Sequence, residues 1–157
     1  KLIPLEAFET KINRGDWKDF HDHYRSYENI RTIEQLSHNN SFIFGEGIGS
    51  QVDLKQKVFL GDMELRHISI LHNGYMTILL KTGILGLIFL LFSIIQFSSF
   101  KTYKSSIEKH TNEIFFATAV FLIISNWVFL GLYNLLDTKV ILLGFLIAYK
   151  NQQAIQQ

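Results

Sequence analysis

The chemistry this chain can offer is concentrated in one histidine and two arginines. His72, followed by Asn73, stands where a polar stretch gives way to a hydrophobic one. At a membrane surface a neutral imidazole stays hydrated yet faces a lipid-borne substrate. There it can accept a proton from a hydroxyl as that oxygen attacks an electrophilic carbon. The structural alternative is an interfacial histidine in the first turn of a helix. Arg25 presents a planar guanidinium fork that can hold a pyrophosphate bidentately and stabilise charge on a leaving group. A salt bridge to Asp22 or Glu28 accounts for Arg25 equally well, and Arg31 is the second candidate for the pyrophosphate role.

Two further clusters carry chemical residue types at less telling spacings. Gly45-Glu46-Gly47-Ile48-Gly49 suggests a phosphate-cradling loop, but it departs from G-x-G-x-x-G and Glu46 would repel a phosphate. Gly45 and Gly47 read better as a turn that sets the helix of Arg25 against the hydrophobic helices. His21-Asp22-His23 has metal-ligand residue types, yet its two histidines would point about 200° apart on a helix. No metal and no cofactor are expected.

The elements that must hold these residues follow from periodicity. Residues 13–16 form a turn signal, Asp16 is placed to cap a helix, and Trp17, Phe20, Tyr24 and Tyr27 recur at three- and four-residue steps. Ile30, Ile33 and Leu36 continue that stripe, and the helix should end near His38-Asn39-Asn40. On it His21 and Asp22 share a face with Arg25, while Arg31 points elsewhere. Residues 41–44 are too short for a helix, and residues 51–69 show no clean period, predicting an irregular loop with one short helix. From 78 to 97 the chain is apolar except for Lys81, Gln96 and small polar residues, which is the length of a bilayer-crossing helix. Further apolar runs occupy 114–132 and 135–149.

Composition separates two parts. Of 157 residues 48% are hydrophobic, including fourteen phenylalanines, and these concentrate after residue 70. Residues 1–70 read as a mildly acidic extracytoplasmic segment and 71–157 as a transmembrane segment, with helices near 71–100, 114–132 and 135–149. The balance of charge gives no basic footprint for nucleic acid. Without cysteine there is no disulfide framework or thiolate metal site. Lys101, Lys104 and Lys109 in a short link, and Lys150 near the end, place that link and the C-terminus in the cytoplasm. The chain opens on Lys1 with no signal-like run and reads as the C-terminal part of a longer protein.

The order His72-Asn73, Tyr75, then Thr82-Gly83-Ile84-Leu85-Gly86-Leu87 resembles the region that closes the long extracytoplasmic loop in the O-antigen ligase and O-antigen polymerase superfamily. Upstream, Arg25 lies about twenty residues before Gly45-Glu46-Gly47, as an arginine does before a Gly-x-Gly turn in that family. Lys81 stands where the family pattern has an acidic residue. The resemblance covers roughly residues 24–90. It implies an all-α, polytopic membrane protein of a bacterial inner membrane, here an extracytoplasmic helical loop followed by three transmembrane helices. It also implies glycan transfer from an undecaprenyl-pyrophosphate donor to a hydroxyl on another glycan, on lipid A core or on a protein. His72 would act on the acceptor and Arg25 on the pyrophosphate, without a metal, and a second functional arginine would lie on an earlier loop. The contrasting reading is a non-enzymatic membrane module whose polar segment binds a partner, in which His72 and Arg25 would be replaceable.

Overall fold

The computed structural model describes residues 18, 20, 23–60, 63–96, 106–128 and 138–155. Among these the order is helix α1 (Tyr24–His38), strands β1 (Val52–Leu60) and β2 (Met63–Ile68), then helices α2 (Gly74–Gln96), α3 (Ser106–Val128) and α4 (Thr138–Ile155). The expected start of the first helix at Asp16 and Trp17, the segment before it, and His21 and Asp22 lie outside the described residues. So do Lys101, Lys104 and residues 129–132 of the second apolar run.

Two parts of the expected architecture are corrected. The chain is not all-α: residues 52–68, read as an irregular loop, pair as an antiparallel hairpin. Nor do three membrane helices emerge. Among the described residues only Gly74–Gln96 is long and apolar enough to cross a membrane, and the apolar part of α4, Val140–Tyr149, is too short. The hairpin escaped notice because its alternation is interrupted. Val52 pairs with Ile68 and Asp53 with His67, but the register shifts before Val58 meets Leu65. Extra β1 residues are accommodated there, with Lys55 at φ 59°. Bidentate bonds of 2.9 and 3.0 Å from Arg66, with a 2.8 Å bond from the Lys55 amide, anchor Asp53 beside the irregularity. They hold its carboxyl well below the usual carboxylate range.

Helix α1 forms on its aromatic stripe: Tyr24, Tyr27 and Leu36 are buried, with Phe20 packed edge-on against both tyrosines. It ends in a Schellman turn. Asn40 takes φ 52°, the Ser41 amide donates to the Leu36 carbonyl at 3.0 Å and the Asn40 amide to Ser37 at 3.3 Å. The core beneath α1 combines Val52, Leu54, Val58 and Ile68 from the hairpin with Leu71, just before α2, and Leu79 and Leu80 within it. A second, smaller core joins Ile94 of α2 to Ala119 and Leu122 of α3.

Between the two cores α2 is broken. Gly83 has φ 67° and ψ −166°, a conformation close to exclusive to glycine. Around the break, residues 42–47 supply hydrogen-bond partners to two carbonyls and two amides of the helix. The Glu46 amide donates to Leu80 (2.8 Å) and the Gly47 amide to Lys81 (3.0 Å), while Ile84 and Leu85 donate to Phe42 (2.8 Å) and Ile43 (3.4 Å). Gly45, at φ 70°, packs so closely here that a Cβ would stand 2.5 Å from the Lys81 and Thr82 backbone. The loop is spliced into the helix.

Candidate functional site

The first half of α2 carries His72 and Asn73 at its entrance, and α1 brings a carboxylate to meet them. The Asn73 side-chain oxygen accepts the amides of Tyr75 (3.0 Å) and Met76 (3.3 Å), making Asn73 the N-cap, a role typically contributing about 1 kcal/mol. This fixes the backbone of His72 one residue earlier. Across from it Glu28 is only 1% exposed in its side chain, yet charged by type. It accepts the His72 backbone amide at 3.0 Å and His72 Nδ1 at 3.0 Å to each oxygen. A buried carboxylate needs such compensation, and the N-terminus of α2 adds a favourable dipole. Thr32 Oγ1 bonds the Glu28 carbonyl at 2.8 Å, and the Tyr24 ring stands edge-on to the imidazole with centroids 5.8 Å apart.

The arrangement fixes the chemistry of the imidazole. With Nδ1–H donating to Glu28, the neutral ring carries its lone pair on Nε2, and the side chain remains 40% exposed. The Glu28 hydrogen bond raises the His72 pKa above its ordinary value, against the opposing effects of partial burial and of the Arg25 charge. Burial, followed by the Glu28 charge, pushes the Tyr24 phenol far above its usual range, so it stays neutral. The result is an oriented imidazole with Nε2 turned away from the carboxylate.

A pH dependence of stability follows from the raised value. A histidine that binds its proton more tightly folded than unfolded stabilises the fold most fully below the unfolded pKa of about 6.5. That contribution is lost as pH rises through the higher folded value. Melting temperatures of the wild type and of His72→Gln are therefore expected to converge with increasing pH over this window. Equal gaps at pH 5.5 and pH 8.5, both chosen to bracket about 6.5, would refute the linkage.

The remaining sequence-derived candidates divide. Arg25 is exposed, one turn before Glu28, and near enough to His72 to act on its protonation. Among the described residues it takes no ion-pair partner; Glu28 is committed to His72 instead. Arg31 lies elsewhere: its Nε donates to the Asp53 carbonyl at 3.3 Å and its guanidinium pairs with Glu34. It lines an open polar cleft of about 600 Å³ with Gln35, His38 and His67. Tyr75 turns from the site, donating to the Ile123 carbonyl of α3 at 2.7 Å beside Trp127. Gly45 and Gly47 sit at the break in α2, eleven positions beyond His72, about 16 Å along a helix axis. Lys81 donates to the Ile48 (2.7 Å) and Ser50 (3.1 Å) carbonyls. Among the described residues no cluster of three or more potential ligands could hold a metal.

Glu28 is the residue that sequence reasoning missed as a participant. Its signal was present: a carboxylate four positions after Tyr24 and four before Thr32, on the face that α1 buries. No family model, curated protein or solved structure matches the chain.

Proposed function

We propose that the chain forms part of a glycosyltransferase of the O-antigen polymerase or ligase type, working at the extracytoplasmic face of a bacterial inner membrane. The observation that carries this reading is the Glu28–His72 pair at the entrance to a helix of membrane-crossing length. Glu28 holds Nδ1, and Nε2 takes the proton of an acceptor hydroxyl as its oxygen bonds to the anomeric carbon. The bond from that carbon to the pyrophosphate oxygen breaks, and undecaprenyl pyrophosphate leaves with the bonding electron pair. Arg25, exposed beside the imidazole, supplies positive charge to the departing group. The acceptor is a hydroxyl of another lipid-linked glycan, of lipid A core or of a protein.

The experiment is complementation of a polysaccharide-deficient strain with the complete gene carrying His72→Ala, at matched protein levels. The expected result is loss of rescue, since a positioned general base typically contributes about 10²–10⁴-fold. Single-repeat glycans at the surface would identify a polymerase, and long polymer retained on the lipid carrier a ligase. Full rescue would overturn the catalytic role and favour a membrane module that binds a partner.

A further inference from the structure

The loop spliced into α2 presents an apolar tip. Phe42, Ile43, Phe44 and Ile48 are exposed, Phe44 by 75% and Ile48 by 83%. Their level is set by backbone hydrogen bonds: Phe42 and Ile43 pair with Ile84 and Leu85, the first residues after the break. From there α2 continues with Ile88, Phe89, Phe92 and Ile95, all exposed, so tip and half-helix form one continuous apolar surface.

The charges next to this surface are turned away from it. Glu46, inside the loop, directs its carboxylate to Gln35 (2.6 Å), Asn39 (2.7 Å) and Ser41 (3.3 Å) at the end of α1. Lys81 folds onto the Ile48 and Ser50 carbonyls. Irregular backbone enters a bilayer only where its polar groups find partners, and here the Glu46 and Gly47 amides and the Phe42 and Ile43 carbonyls are paired with the broken helix.

We propose that residues 42–48 are a membrane-dipping wedge, with Phe44 and Ile48 inserted among lipid headgroups and upper acyl chains beside the second half of α2. The proposal rests on the reading of α2 as membrane-crossing.

The chain contains no cysteine, so single-cysteine variants of the full chain can each carry one spin label. Phe44→Cys, Ile48→Cys, Ile88→Cys and Lys57→Cys are reconstituted in vesicles of phosphatidylethanolamine and phosphatidylglycerol. Relaxation by oxygen, which partitions into lipid, is compared with relaxation by a water-soluble nickel chelate. Labels at 44, 48 and 88 are expected to favour oxygen, with 88 deepest, and the label at 57 to favour nickel. Lipid contact at 88 with nickel access at 44 and 48 overturns the wedge while leaving the membrane helix standing. Nickel access at all four positions removes both. Labels at 44 and 48 shielded from both reagents would show a protein partner on the tip, and would also overturn the proposal.

Discussion

Glu28→Gln is expected to drain His72 of its basicity without removing its side chain. The glutamine carbonyl can still accept the His72 backbone amide, but its NH₂ then faces Nδ1 as a donor. The neutral imidazole must place its proton on Nε2, where an acceptor hydroxyl would need a lone pair. The His72 pKa falls, because the carboxylate hydrogen bond is the largest cause of its present elevation. Nitrogen NMR of the labelled imidazole reads both effects directly, as a more acidic midpoint and a switch from the Nδ1–H to the Nε2–H tautomer. In the complementation assay activity should fall about 10²-fold or more, the scale of misorienting a general base. A variant that keeps the wild-type tautomer and midpoint would show Glu28 to be structural only. Glu28→Ala should also destabilise the fold by about 1–3 kcal/mol, since it leaves the buried His72 contacts unmade.

Gly83→Ala is expected to release the loop from α2. At φ 67° and ψ −166° a side chain costs about 1–3 kcal/mol, and a Cβ there would collide with the Ile43 carbonyl. The loop must retreat, giving its own four backbone groups back to water while the helix groups can re-pair locally, Ile84 with Leu80 and Leu85 with Lys81. A loss of about 1–3 kcal/mol should appear in the urea midpoint. Hydrogen exchange at Glu46 and Gly47 should accelerate together, while Ile84 and Leu85 re-pair within the helix and stay protected. Gly49→Ala is the control, because open space surrounds that position and no positive φ is required; it should change stability by less than about 0.5 kcal/mol. Equal effects at the two glycines would refute the splice.

What was legible in the sequence were features with a local cause. The aromatic stripe of α1 and its stop at the asparagines are set by a 3.6-residue period and by the tolerance of Asn40 for positive φ. The hydrophobic length of α2 was also readable. What was not legible depends on partners distant in the chain. Glu28 lies three residues from Arg25 and was considered, with Asp22, only as an ion-pair partner for it, but its partner is His72, forty-four residues away. Gly83 within an apolar run is unremarkable until Gly45 arrives beside it. The hairpin was hidden by an irregularity that shifts its register, and Arg31, alike in type to Arg25, was separated from His72 by the face it occupies.

The four peptide groups at Gly83 have two complete sets of partners. One is the loop forty residues upstream; the other is local, since Ile84 can donate to Leu80 and Leu85 to Lys81 if Gly83 rotates into the helical region. Docking therefore competes with an uninterrupted helix rather than with bare peptide groups, and the docked form must overcome a closure entropy of roughly 3 kcal/mol. Alanine at position 83 favours the local set twice over, by straining the break and by improving helix propensity by about 1 kcal/mol. The glycine is a hinge between two hydrogen-bonding economies, and its side chain of a single hydrogen keeps the distant one in command.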